Sequence, residues 1–326
     1  MSTNTLPVHA AGGNAQPGTH AMPGAIPNAM PNVMPNALRV RLHGIGVLAP
    51  GFAGWDACAA CLRGQAPYHA EATVLPAPEM LPPAERRRAS RVIKLALAIG
   101  AEAVQHAGMD AAQLATVFTS STGDGHNCHA LCEVLASEQR DISPTRFHNS
   151  VHNTAAGYWC IATGATGPCQ VLAAYDASFA AGLLEAAVQA HTEQRPVLLL
   201  AYDSDYPQPL HACRPVPDVA GVALVLAPAN GAAHVAQHGA AAPVLAELGI
   251  SWQAAAAAAS EPATGDVLDG ADAASRLPAG LQILCQSIPA MRALPLLRQL
   301  ACAQAGVVAL EGLPGQTLRI EVQPCA

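Results

Sequence analysis

The side chains that could do covalent chemistry in this chain gather near its middle. Ser178, Asp176, His148 and His152 are the residue types of a hydrolase triad, in which a histidine takes the serine proton and a carboxylate orients the histidine. No Gly-x-Ser-x-Gly elbow surrounds Ser178, so the sharp turn that exposes such a nucleophile is not encoded. His126, Cys128, His129 and Cys132 carry metal-ligating atoms, but without the paired Cys-x-x-Cys spacing of a structural zinc site, and no metal is expected. Cys58 and Cys61 do form a Cys-x-x-Cys, on an apparent apolar helix that lacks the flanking sequence of a redox motif, and they read as packing residues. Gly123-Asp124-Gly125 is too short to cradle a phosphate and reads as a turn. Nothing here calls for a cofactor. Asp176, just before a run of mostly Ala and Leu, reads as a carboxylate that caps the first turn of a helix.

Strand and helix alternate around these residues. Val40–Leu48 reads as a strand entering a glycine-containing turn, and Trp55–Leu62 as a short helix. A longer helix spans Glu85–His106, with Val92, Leu95, Ala96, Ile99 and Ala103 at helical spacing and Gly108 as its stop. Thr116–Ser120 is a short strand before the polar turn Thr122–Gly125, and a helix then carries Leu131 to Leu135. The strand Gln170–Ala174 leads into the helix Ala177–His191, and Val197–Ala201 and Val222–Leu226 are apolar runs short enough to be buried strands. Gly306–Val322 reads as a strand or hairpin returning to the sheet. The alternation predicts a layered α/β fold.

Bulk properties narrow the function. The chain has 326 residues, of which 51% are hydrophobic, which is ample for a substantial core. Its net charge of −7 offers no general attraction to phosphate backbones or anionic membrane surfaces, so no nucleic-acid partner is expected. No apolar run reaches the roughly 20 residues of a membrane-spanning helix, and the N-terminus lacks the pattern of a signal peptide. A cytoplasmic protein follows, with its ten cysteines reduced. Residues 1–37 repeat a Met-Pro-Asn theme in which proline blocks helix and ladder alike, predicting a disordered tail. Residues 229–280 are expected to hold loosely ordered Ala- and Gly-rich insertions around one strand, and 281–326 a C-terminal helix and strands that complete the domain. Arg86, Arg87, Arg88, Arg91 and Lys94 are the strongest local charge. They read as a solvated helix face and as a candidate docking patch for an acidic carrier protein.

Several segments, in order, resemble the β-ketoacyl synthases. They are Gly44-Ile45-Gly46-Val47-Leu48-Ala49-Pro50-Gly51, the arginine-rich helix ending in Ala107-Gly108, the strand and turn Val117–Gly125, and Gly164-Ala165-Thr166-Gly167-Pro168. The resemblance covers about Leu38–Pro228, the N-terminal-like domain of such a synthase. Phe147-His148-Asn149-Ser150-Val151-His152-Asn153 and Tyr175–Gly182 look closer to the chain-length-factor-like proteins of aryl-polyene and related type II polyketide pathways. The resemblance implies a thiolase-like layered fold, mostly its N-terminal half, with a short C-terminal return.

It also exposes a departure. An active synthase holds its cysteine where a buried strand turns into a helix, and counting from Gly167-Pro168 puts Asp176 there. A carboxylate is a poor acyl acceptor, since its adduct is a labile mixed anhydride. The His-Gly-Thr-Gly-Thr and Lys-x-x-x-Gly-His motifs are absent, and the chain is expected to end before a second thiolase half. The resemblance therefore implies a non-catalytic subunit paired with an active ketosynthase. Its interface or tunnel candidates are Phe147, His148, Asn149, His152, Asn153, Val171, Leu172, Ala173, Ala174, Tyr175, Asp176, Ser178 and Phe179. Two alternatives stay open: an acyl transferase or hydrolase using Ser178, and a homodimeric acyl-binding protein.

Overall fold

Two runs that are apolar except at the Asp203 end of the first, Val197–Asp203 (β4) and Ala220–Pro228 (β5), are buried along their whole length and lie antiparallel side by side within the sheet. Alternate residues serve opposite faces: Leu199, Leu224 and Leu226 enter one core, while Leu198, Leu200 and Val225 enter the other. Burial on both faces explains why these strands read as continuous apolar runs rather than alternating ones. The computed structural model describes residues 37–230, 244–254, 267–268 and 276–325. Apart from residue 37, the tail expected over 1–37 lies outside them, as does most of the loose sequence expected between 229 and 280.

Seven further strands complete a nine-stranded mixed sheet: Leu38–Leu48 (β1), Ala115–Thr119 (β2), Cys169–Leu172 (β3), Ala246–Ala254 (β6), Val267–Leu268 (β7), Gly306–Glu311 (β8) and Gln316–Pro324 (β9). Their order is β3-β2-β4-β5-β1-β6-β9-β8-β7, with β3, β2 and β4 parallel. The helices are Trp55–Leu62 (α1), Pro83–Arg88 (α2), Arg91–Ala107 (α3), Gly125–Ala136 (α4), Pro144–His148 (α5), Thr154–Thr163 (α6), Ser178–Glu193 (α7), Leu210–Cys213 (α8), Ala279–Ser287 (α9) and Leu294–Ala301 (α10). Phe179, Leu183 and Ala187 of α7 pack in one core with residues of α1, α9 and α10, and Val92, Leu95 and Ile99 of α3 pack in the other with Trp159 of α6. This is a layered α/β fold of the thiolase-like kind.

The strand expected over Val40–Leu48 is β1, and a β-carbon at Gly44 or Gly46 within it would lie 2.1 Å from a carbonyl oxygen of α3, so their bareness lets helix and strand approach closely. Three boundaries differ from expectation, each for a local reason. The arginine-rich helix is broken at Ala89, which is extended and buried, and α3 begins at Arg91 after the extended Ser90. Asn149 donates to the freed Arg88 carbonyl at 3.0 Å. β3 stops at Leu172, before the chain bends through Ala174 and Tyr175. Gln253 and Ala254, expected in a loose segment, instead end β6, opposite Thr317 and Gln316 of β9. The C-terminal return thus builds one flank of the sheet, with β9 paired along all of β6.

Candidate functional site

The parallel strands β2, β3 and β4 end side by side, the place where α/β sheets commonly hold their chemistry. From β3 the chain passes Ala173 and Ala174 into a single 3-10 turn, Tyr175–Ala177, and then into α7. Tyr175 carries a φ of 53°, in the left-handed region. Ser178 stabilises the bend: its Oγ donates to the Tyr175 carbonyl at 2.7 Å and accepts from the Ala174 amide at 3.0 Å. Its hydroxyl is engaged by backbone, it is buried, and no hydrogen bond joins it to His148 or His152 among the described residues.

Asp176 does not cap α7, whose N-terminus has no side-chain cap bond. Its carboxylate lies between two guanidiniums instead, with Arg214 at 2.6 Å on one oxygen and Arg292 at 3.1 Å on the other. The 3-10 geometry turns the side chain away from the helix amides, and two full charges attract it more strongly than a partial one. Arg292 also reaches Glu311 of β8 at 2.8 Å, and the Arg214 guanidinium lies 3.6 Å from the centre of the Tyr175 ring. Burial works against the Arg214 charge, but Asp176 together with Tyr175 and Tyr206 outweighs it, and the proton is held more tightly than usual. Neither arginine stands in a recognisable motif. Each reaches the junction only through tertiary folding, from sequence positions 38 and 116 residues away.

Below this turn, Asp203 at the end of β4 is buried. One oxygen accepts from the Ser121 amide at 2.8 Å and hydroxyl at 2.6 Å, and the other from the Ala290 amide at 2.8 Å. Burial pushes its pKa up to about 6, against the pull of the Ser121 and Ala290 donors and of the Arg214 charge. It ties the β2 loop to the C-terminal segment, and no sequence motif announced it.

The remaining candidates divide. Asn149 is buried and structural, whereas Phe147 is exposed and the His148 ring meets Tyr158 edge-on at 6.3 Å. His152 lies against the Gly123 turn with its Nε2 buried and without a hydrogen-bond partner. Asn153 precedes α6 without a side-chain cap bond. Phe179 lies in the core, while Ala173 is exposed and Val171, Leu172 and Ala174 are half-buried at the sheet edge. In the basic cluster, Arg86 donates to the Glu79 and Leu81 carbonyls, Arg88 pairs with Glu85, and Arg91 pairs with Asp218 and Asp205. Its charge is therefore partly neutralised in place. Burial raises the thiol pKa of Cys58, Cys61, Cys128 and Cys160, and takes Cys285 up to about 11. Among the described residues no group of three or more His, Cys, Asp or Glu side chains is placed to hold a metal, and no helix is long and apolar enough to cross a membrane.

Comparison with known proteins agrees with this architecture. The model of the β-ketoacyl synthase N-terminal domain matches residues 58–273, more than half of the chain, and the chain belongs to that family. Among solved structures it is similar to a ketosynthase in complex with its chain length factor from Xenorhabdus doucetiae, at 20% identity and a TM-score of 0.59, over 87% of this chain and 99% of that one. The ishigamide ketosynthase/chain length factor aligns at 16% identity and a TM-score of 0.63, over 89% and 100%. A type II acyl-carrier protein in complex with its ketosynthase aligns at 11% identity and 0.65, over 88% and 99%. At these identities the likeness is one of fold. No curated protein sequence matches the chain.

Proposed function

We propose that this chain is a non-catalytic, chain-length-factor-like subunit that pairs with an active β-ketoacyl synthase in polyketide or fatty-acid-type biosynthesis, of the aryl-polyene kind. The observation that carries the reading is Asp176 at the strand–helix junction, held by Arg214 and Arg292 where a synthase needs a free thiolate. A carboxylate neutralised by two guanidiniums is a weak nucleophile, and among the described residues no histidine is hydrogen-bonded to it to serve as base.

Two further features support a paired subunit. β3 ends the sheet, and its outer edge is open among the described residues, as an edge that receives another chain must be. Solved structures of similar fold include ketosynthases described with a chain length factor or a carrier protein. Contact with a carrier protein is the subordinate part of the proposal, through the exposed Arg87 and the neighbouring cations of α2 and α3. The engagement of Ser178 by backbone argues against a serine hydrolase.

The test is co-expression with β-ketoacyl synthases of the same organism, followed by purification on a tag carried by this chain alone. A stable one-to-one complex that condenses acyl and malonyl thioesters, with this chain inactive by itself, is the expected result. Failure to associate with any ketosynthase, or condensation by the lone chain, overturns the reading.

A further inference from the structure

Tyr175 holds a strained backbone conformation at the surface, fixed by the Ser178 hydroxyl. Its φ of 53° lies where the β-carbon of a bulky side chain crowds its own backbone, a region that glycine occupies freely. Core burial does not offset this strain, because the side chain is 61% exposed. The ring is nevertheless not loose. The Arg214 guanidinium lies 3.6 Å from its centre, Arg214 is fixed by Asp176 at 2.6 Å, and Arg292 holds the other oxygen of Asp176 at 3.1 Å. Three segments far apart in sequence thus converge to hold one exposed aromatic ring. Strain kept at an exposed residue and braced from behind points to a use outside the monomer.

The surroundings define that use. The ring lies three residues beyond the end of β3, the edge strand of the sheet. Arg214 and Arg292 are balanced by Asp176 and Glu311, so the ground around the ring carries little net charge. A neutral surface does not draw in a phosphate or a free carboxylate, and its paired charges cost less to cover with protein than unpaired ones would. A rigid aromatic ring offers large contact area and little side-chain entropy to lose on binding.

We propose that Tyr175 is a preorganised aromatic anchor that inserts into an apolar pocket of the ketosynthase subunit docked along β3, and that Asp176 is the positioning residue that holds the anchor through Arg214. This rests on the pairing proposed above and gives the position of the lost nucleophile a new structural task.

The experiment measures, for the full chain and its variants, the affinity for the ketosynthase with which the wild type co-purifies and the melting temperature of the isolated chain. Tyr175→Gly relieves the φ strain, so its melting temperature is expected to hold or rise while its affinity falls by about tenfold or more. Tyr175→Phe keeps the ring and stays within about threefold of wild type. Asp176→Asn loosens Arg214 and weakens binding by several-fold. Combined with Tyr175→Gly it adds little further loss, which a merely structural role for Asp176 would not produce. Unchanged affinity for Tyr175→Gly overturns the anchor while leaving the pairing intact. So does normal affinity with an altered product length, because the ring then faces the acyl chain. A wild-type chain that binds no ketosynthase removes the pairing itself, and the anchor with it.

Discussion

At Asp203 both carboxylate oxygens are engaged by donors within the protein, from Ser121 on one side and Ala290 on the other, and the cost is a buried charge. A carboxyl whose pKa rises from 3.8 to about 6 on folding binds its proton more tightly in the folded state. Its contribution to stability is therefore greatest below the unfolded value and is lost as pH rises through the folded one. The shift corresponds to about 2 kcal/mol between pH 4 and pH 7. Urea unfolding of wild type and Asp203→Asn across that range should show the wild-type advantage shrinking by about this amount as pH rises. A difference independent of pH would mean that Asp203 titrates normally. Asp176 presents the contrasting case. Its position at the junction was legible by counting from Gly167-Pro168, because a strand-to-helix turn has a short, regular length. Its partners were not, since a polar residue before a helix carries the same local signal whether it caps that helix or pairs with an arginine from elsewhere.

Among the elements, β3 carries the sharpest test. The Thr116 amide donates to the Pro168 carbonyl at 2.9 Å and the Ser120 amide to the Leu172 carbonyl at 3.4 Å. In a parallel ladder one residue directs both its backbone groups to the same neighbour and the next directs both away. Pro168, Gln170 and Leu172 therefore face β2, and Cys169 and Val171 face outward. Val171→Pro should remove only an outward donor, leaving the circular dichroism spectrum unchanged and abolishing association with the ketosynthase. Leu172→Pro breaks the ladder with β2 and should destabilise the isolated chain by several kcal/mol, about 3 or more. If Val171→Pro folds and still binds at full affinity, the partner uses another surface. The buried strands β4 and β5 were legible as apolar runs within a few residues of their ends, because burial on both faces leaves no polar position to confuse the pattern. The strand over Val40–Leu48 was legible too, but the task of Gly44 and Gly46 within it was not, because they serve by absence of volume and only α3 lying across β1 reveals the contact.

At the scale of the molecule, the C-terminal return supplies both a flank of the sheet and a hand on the junction, since Arg292 follows α9 and holds Asp176. Its place as sheet was legible in the hairpin pattern of Gly306–Val322, but its reach to the nucleophile position was not, because nothing local in Ala290-Met291-Arg292 specifies a partner. This arrangement separates two ways in which the proposed loss of catalysis would arise. If the missing thiol were the whole defect, Asp176→Cys would restore condensation. The introduced thiol would lie between Arg214 and Arg292, whose charges favour the thiolate, so iodoacetamide should alkylate it faster than any native cysteine. Burial already raises the pKa of Cys58, Cys61, Cys128, Cys160 and Cys285, so these five should react slowly, and the exposed Cys132, Cys169, Cys213 and Cys325 set the rate that the new thiol must exceed. A nucleophile alone does not condense thioesters, however: the malonyl unit must lose carbon dioxide and the developing oxyanion needs donors, and both synthase histidine motifs are absent. The expected outcome is a reactive thiol without turnover, read by mass spectrometry for alkylation and by product analysis for condensation. Turnover by the isolated Asp176→Cys chain would show that its remaining machinery is intact and that a single residue silences an otherwise complete synthase.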